Sequence, residues 1–353
     1  MYMEIMASFK SRTQGAFGSW RTLLEEVIAL QMRGIHVEAG GKRSLAALER
    51  LISEVAPALG LNWVVAEINY HFQYKSHPEV AAPEAIDAED ARRLAARARD
   101  SGIHLTPMLN CLGHQSWGPR IAALLRAHPE FNEAPDLDPS AQDFYCTSWC
   151  PHHPDVNPLI FDLFDELLDA FQPRAFHVGM DEVFIIGHCS RCQGAPPAEL
   201  FAEAVCDYHE HLVRRRGVEM HMWGDRLLPR SLGFSHWDSS ENGTEGAVDL
   251  IPKDIVICDW HYHLMEKYLS VAYFLDKGFR VWPSGWKEPA AIRRLIEVSR
   301  RTADPRMVGY LATTWCGASH LVAAFDSPEA EFQTPWIPDV VSGVKIGAAL
   351  AQD

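Results

Sequence analysis

The chain lacks the features that would send it to a membrane, a nucleic acid or a disulfide framework. Nowhere do its 353 residues approach the eighteen or so consecutive apolar positions of a membrane span. Met1 to Gly15 carries Lys10 and Arg12 but no apolar stretch of a secretory leader, so the cytoplasm is the expected location. Basic residues are in deficit, 32 against 47 acidic ones, and the net charge of −15 suits neither nucleic acid nor anionic lipid. There is no charge block, low-complexity tract or sequence repeat. Cysteine is present but dispersed: Cys111, Cys146, Cys150, Cys189, Cys192, Cys206, Cys258 and Cys316, several of them in apolar, strand-like contexts. That distribution reads as reduced thiols and not as a disulfide scaffold.

What the chain does have is a repeat of pattern. With 47% hydrophobic residues it can bury a large core. Short apolar runs alternate with longer amphipathic stretches. Arg33 to Glu38, Asn62 to Asn69, His104 to Asn110, Ala175 to Met180, Glu219 to Trp223, Ile255 to Trp260, Arg280 to Pro283 and Met307 to Trp315 read as eight strands. Helices are predicted over Ser44 to Leu59, from Asp87 to about Gly102, and over Pro119 to Ala127 and Asp155 to Phe171. Others follow over Ala198 to Arg216, Met265 to Lys277, Glu288 to Arg301 and Val340 to Leu350. Asp87 is a good N-cap with Asp90 three residues on, and Gly217 closes its helix. Eight strand–helix units predict an α/β fold, a (β/α)8 TIM barrel, over residues 20–353, preceded by an N-terminal extension over 1–19. The link between strands five and six, Arg230 to Pro252, has little helical signal and is expected to be irregular.

The most informative stretch is Phe176-His177-Val178-Gly179-Met180-Asp181-Glu182-Val183. Two adjacent carboxylates repel, and neither belongs in an apolar core. Such a pair is either a solvated strand end or a pocket where an acid and a carboxylate have different jobs. A barrel favours the second reading, because its active site lies at the C-terminal ends of its strands. Those ends read Glu38, Asn69, Asn110 with His114, Asp181-Glu182, Trp223 with Asp225, Trp260 with Tyr262, Trp282 and Trp315. Flat aromatic walls beside a few polar groups suit a sugar ring, apolar on its C–H faces and polar around its rim. Trp286 and Trp336, in loops, read as ordinary surface aromatics or as a leaving-group subsite. His36 and Glu38 read as satisfied residues of the barrel mouth.

On these residues the chain resembles glycoside hydrolase family 20, the β-N-acetylhexosaminidases, whose signature is roughly His-x-Gly-(Gly/x)-Asp-Glu. Arg33-Gly34, Leu61-Asn62, Cys111-Leu112-Gly113-His114, Met222-Trp223-Gly224-Asp225 and Thr314-Trp315 resemble further family motifs in the same order, from Trp20 onward. Met180 departs from the pattern, standing where a second glycine is usual, and the strand-two end Glu67-Ile68-Asn69-Tyr70 departs too, leaving Glu67 as a substitute partner for His114. The resemblance implies a catalytic-domain-only member that acts on a β-linked N-acetylhexosamine glycan without a metal or cofactor. It implies substrate-assisted retaining hydrolysis, in which the substrate's acetamido oxygen attacks the anomeric carbon. Glu182 would be the acid and then the base, keeping its proton near neutral pH through burial against aromatics. Asp181 would orient the acetamido N–H. Arg33 would grip ring hydroxyls, His114 would support Glu182, and Trp223, Asp225, Trp260, Tyr262 and Trp315 would complete the substrate site, with Tyr262 facing the acetamido oxygen.

Three further readings stay open. Cys146 and Cys150, with His152 and His153, and the Cys189-Ser190-Arg191-Cys192 turn after His188 flank strand four, so they are either free thiols or a structural zinc clip. The barrel is also compatible with a carbohydrate-binding protein that has lost catalysis, or with a metal-dependent hydrolase built on the histidines and cysteines. A homodimer that closes the pocket is a further possibility.

Overall fold

The computed structural model describes residues 30–352, apart from 142–143 and 328–331. The predicted extension over 1–19, and Trp20, lie outside the described residues. Eight parallel strands close a barrel: β1 Met32–Glu38, β2 Trp63–Glu67, β3 His104–Cys111, β4 Ala175–Gly179, β5 Glu219–Trp223, β6 Val256–Trp260, β7 Arg280–Gly285 and β8 Gly309–Ala312. Each pairs with its sequence neighbour, and β1 pairs with β8 from Met32↔Gly309 to Ile35↔Ala312 to shut the ring. The expected (β/α)8 barrel is therefore the observed fold.

The helices form where the sequence places local signals. Asp87 accepts from the Glu89 and Asp90 backbone N–H groups, and Asp90 returns a bond to Asp87 N, a complete capping box at the head of Ala88–Asp100. In Val156–Phe171 the apolar positions Ile160, Leu163, Phe164, Leu167, Leu168 and Phe171 are all buried. At about 1.5–3 kcal/mol for each fully buried large side chain, that face holds the helix to the sheet. Two readings are refined. The first and fifth predicted helices pass into π-helical turns at Leu51–Val55 and Glu210–Arg215, and a helix at Ala318–Asp326 had no separate signal. The segment between β5 and β6 is irregular as expected, built from short 3-10 turns at Asp225–Leu227, Arg230–Leu232 and Thr244–Asp249. Among the described residues no helix is long and apolar enough to cross a membrane.

The barrel interior is a packed core of Met32, Trp63, Val65, Met108, Trp223, Cys258, Trp260, Trp282 and Leu311, with His36, His177 and His221 fully buried among them. Strand register sorts the tryptophans. Trp223 pairs across to Cys258 and Cys258 to Trp282, so both tryptophans lie two residues below Trp260. Trp282 donates Nε1 to Met32 O, at the opposite end of the barrel from Asp181 and Glu182. The expected ring of four strand-end tryptophans is thus two, Trp260 and Trp315, above a buried pair.

Candidate active site

At the end of β4 the backbone turns sharply. Gly179, Met180 and Glu182 have φ of 69°, 74° and 50°. Left-handed φ costs a non-glycine residue about 1–2 kcal/mol, so two of these three positions are strained. Gly179 is obligatory on two counts: a Cβ there would meet the Asn110 side chain and lie 2.8 Å from Asn110 Cα. His177 Nδ1 accepts the Gly179 N–H at 3.0 Å and fixes the turn. The result breaks the up-down alternation of a strand and sends two consecutive carboxylates into one cavity.

His114 joins them. It follows β3 through Leu112 and is itself left-handed, with φ of 65° and 54° at the two residues. Its Nε2 lies 3.2 Å from Asp181 Oδ2 and 3.2 Å from Glu182 Oε2. Burial works against a charged imidazole here, but the Asp181 charge and the hydrogen bonds to both carboxylates outweigh it and hold His114 well above its ordinary value. Asp181 is 4% exposed, and its Oδ1 has no protein partner. His114 is therefore partnered by Asp181 and Glu182 themselves. Glu67, the substitute partner read from sequence, turns the other way: it bonds His36 Nε2 at 3.2 Å and accepts from Asn69 and Asn110 at 2.7 and 2.9 Å.

The cavity has a volume of about 380 Å³, within the roughly 300–1,000 Å³ of small-molecule sites. Glu38, Glu67 and Asn110 line one side, and Trp260, Tyr262, Trp286, Trp315 and Trp336 the other. Tyr262 stacks on Trp260 at 4.9 Å and accepts Trp315 Nε1 at 2.7 Å, which leaves its own O–H to donate. Glu38 reaches water through the mouth, yet surrounding atoms and the Glu67 charge push its carboxyl up to about 7, against the pull of His36. A larger hollow of about 570 Å³ lies beyond Tyr145, among Phe144, Phe184 and Trp237. It lacks the paired carboxylates, so we assign the chemistry to the smaller one.

Several sequence readings need correction. Arg33 sits near the start of β1, at the wrong end of the barrel to grip substrate: its guanidinium donates to Gly60 O and Leu30 O. Trp223 is fully buried under the cavity, packed on His177 at 4.6 Å and Trp315 at 5.6 Å, and does not line it. Asp225 is also buried, and its carboxylate is committed to protein donors. It accepts from Glu182 N at 2.9 Å, Arg226 Nε at 2.7 Å and Trp260 Nε1 at 3.2 Å. Desolvation raises Asp225 to about 6, with the Arg226 charge opposing.

Other wall residues escaped sequence reading. Trp117 stacks on His114 at 4.7 Å, and Tyr145 is pushed upward by burial and by the Glu182 charge beside it. Trp117 lies in a two-residue strand paired with Arg120–Ile121 and Tyr145 on a loop, both too short of periodicity to read; the only hint was that Trp117 follows Gly113-His114 so closely. Trp286 and Trp336, read as surface aromatics or a subsite, belong to the cavity wall. Cys146 points its Sγ at Glu182 O, 3.5 Å away, and leaves the cysteine group in which sequence spacing had placed it.

No protein-family profile matches the chain. It is 24% identical over 261 residues to a beta-hexosaminidase of Emericella nidulans, covering 65% of this chain and 39% of that protein. It is 23% identical over 197 residues to a lacto-N-biosidase of Bifidobacterium bifidum, 51% of this chain and 16% of that one. The chain thus spans well under half the length of these curated relatives. Among solved structures, a β-N-acetylhexosaminidase from Bacteroides fragilis superposes over 90% of this chain and 66% of its own, with a TM-score of 0.63 at 14% identity. A family 20 exo-β-N-acetylglucosaminidase from Vibrio harveyi does so over 90% and 54%, with a TM-score of 0.59 at 15% identity. The resemblance read from the Asp181-Glu182 motif therefore stands: the chain is similar in sequence to a beta-hexosaminidase and a lacto-N-biosidase, and in fold to β-N-acetylhexosaminidases that include members of glycoside hydrolase family 20.

Proposed function

We propose that the protein is a glycoside hydrolase, an exo-acting β-N-acetylhexosaminidase that removes terminal β-linked GlcNAc or GalNAc by substrate-assisted retention. One observation carries the reading: two carboxylates share His114 Nε2 at 3.2 Å, with Asp181 Oδ1 unpartnered, beneath aromatic walls. The carboxylate oxygens facing His114 lie within 4.8 Å of each other.

In this scheme Glu182 protonates the departing oxygen and later takes a proton from the attacking water. Asp181 Oδ1 accepts the acetamido N–H, and the Tyr262 O–H donates to the acetamido oxygen that closes on the anomeric carbon. Asp225 holds the Glu182 backbone so that its carboxyl meets the glycosidic oxygen. Glu38, Glu67 and Asn110 take the place proposed from sequence for Arg33 as the groups nearest the ring hydroxyls. Support comes from the named activities of the relatives and from this geometry together. A panel of aryl β-glycosides with and without the 2-acetamido group tests it. Hydrolysis should require that group, and a thiazoline mimic of the cyclic intermediate should inhibit strongly. Equal turnover of aryl β-glucoside and aryl β-GlcNAc would remove the substrate-assisted step.

A further inference from the structure

Seven and ten residues beyond Glu182, the loop after β4 carries Cys189 and Cys192. A tight turn, with Cys192 N bonded to Cys189 O at 3.1 Å, brings the two cysteines to one side. Cys150, on the long loop after β3, meets them: its Sγ is 3.3 Å from Cys189 Sγ and 3.4 Å from Cys192 Sγ. Glu133 completes the group: one of its carboxylate oxygens and the three sulfurs all lie within 4.8 Å of one another. All four residues are buried.

Three observations point to an ion. First, Glu133 is 0% exposed; one of its oxygens accepts His188 N at 2.9 Å and the other, Oε2, has no partner. A buried carboxylate with an orphaned oxygen is costly unless a cation satisfies it. Among the described residues no lysine or arginine forms an ion pair with Glu133, and the nearby histidines are engaged elsewhere, His152 with Glu203 at 2.7 Å and His153 with the Asp155 backbone. Second, the sulfurs stand at the corners of one small triangle. Tetrahedral zinc with bonds of about 2.3 Å separates its sulfurs by about 3.8 Å, so metal entry needs only a few tenths of an ångström of opening. Third, the backbones are pinned independently of the side chains. Cys150 N bonds Phe131 O, Glu133 N bonds Ser148 O, and Trp149 N bonds Leu112 O, which presets the ligands.

We propose that Cys150, Cys189, Cys192 and Glu133 bind one structural Zn²⁺ ion. Binding releases the three thiol protons and places Zn²⁺ among three thiolates and a carboxylate. With four protein ligands the site is closed, which suits a structural and not a hydrolytic role. Its effect is mechanical. The ion ties the loop that leaves Glu182 to the loop that carries Tyr145 and Cys146, and so fixes two walls of the cavity from outside it. The composition also explains why sequence spacing misled: Cys146 and the histidines that flank these cysteines are not ligands, while Glu133, which spacing never suggested, is one.

The test uses the full chain, purified without chelator and dialysed against Zn²⁺ and then metal-free buffer. Elemental analysis should find about one zinc per chain, and titration with a mercurial thiol reagent should release it as three thiols react. Replacing zinc with Co²⁺ should give intense near-ultraviolet sulfur-to-cobalt charge transfer and the visible bands of a tetrahedral site. Cys192→Ser and Glu133→Gln should each weaken zinc retention at least tenfold against a chelating dye, whereas Cys206→Ser, remote from the cluster, should not change it. Should the cysteine variant fail to fold, the cobalt spectrum and mercurial release on the unaltered protein decide alone. No bound zinc, an octahedral cobalt spectrum, or a thiol count two short because Cys150 is in a disulfide would each overturn the proposal.

Discussion

The two ends of this barrel hold the same kinds of residue and treat them in opposite ways. At the N-terminal end of the strands, charges are matched. Glu219 accepts from both Arg280 and His221; although burial opposes it, these partners hold its carboxyl down at about 2. Arg33 spends its donors on backbone carbonyls. Left-handed turns that lead into strands there are mostly made by glycine, as at Gly102 and Gly217, where a Cβ would meet nothing within 4 Å. At the C-terminal end, carboxylates crowd together around His114, and left-handed positions fall on Asn69, Leu112, His114, Met180, Glu182 and Trp315. One end is relaxed and neutralised. The other stores strain and like charge in residues that line the cavity, His114, Glu182 and Trp315, and in those just behind its wall, as functional sites do. The difference teaches that residue type alone does not mark a site in this fold; position along the strand and backbone conformation do.

The sharpest way to break that contrast is a matched pair of glycine substitutions. Gly102→Ala carries only the left-handed penalty, about 1–2 kcal/mol, and should leave activity intact. Gly179→Ala adds overlap with Asn110 and should cost roughly 3 kcal/mol or more while abolishing activity. Denaturant unfolding of both variants checks this, and equal losses would mean that the two ends are not built differently.

A smaller effect is expected at Asp225. Its three partners, Glu182 N, Arg226 Nε and Trp260 Nε1, are all donors, so the position calls for a pure acceptor. Asp225→Asn turns an N–H₂ toward one of them and leaves Arg226 buried without its counter-charge. A loss on the order of 3 kcal/mol and a tenfold or greater fall in kcat, with KM little changed, are expected in melts and steady-state kinetics. An unchanged kcat would remove Asp225 from the positioning of Glu182.

The smallest effect is a pH signature. Glu38 is raised from 4.5 to about 7, so between those values the folded chain holds a proton that the unfolded chain has lost. Its contribution therefore makes stability fall as pH rises through that window and level off above it. Glu38→Gln removes the effect. Its Tm should match the parent near pH 4, exceed it increasingly up to about pH 7 and stay higher by a constant margin beyond, the margin being small because Glu38 is open to solvent. A difference that does not vary with pH would contradict the crowding of acids at this end.

Much of the fold was legible because its signals are local. The Asp87–Asp90 capping box, the period of Leu163, Leu167 and Phe171, and the eight apolar runs depend only on neighbours in sequence. The Asp181-Glu182 pair was legible for the same reason, since two adjacent carboxylates after an apolar run need an explanation. What sequence could not supply was height along the barrel. Arg33 and Glu38 share one strand, yet only Glu38 reaches the cavity. Trp223 and Trp260 each end a strand, yet the stagger between strands leaves one buried below the other. The partner of His114 and the membership of the cysteine cluster depend on long-range loop packing, which spacing does not encode.

In the proposed mechanism Glu182 moves the proton while Asp181 holds the substrate's own nucleophile. It is tested most directly by Glu182→Gln assayed on an aryl β-GlcNAc. The expected result is a fall in kcat of about 10²–10⁴-fold or more, with binding of the thiazoline mimic retained. Turnover at the parent rate would contradict it.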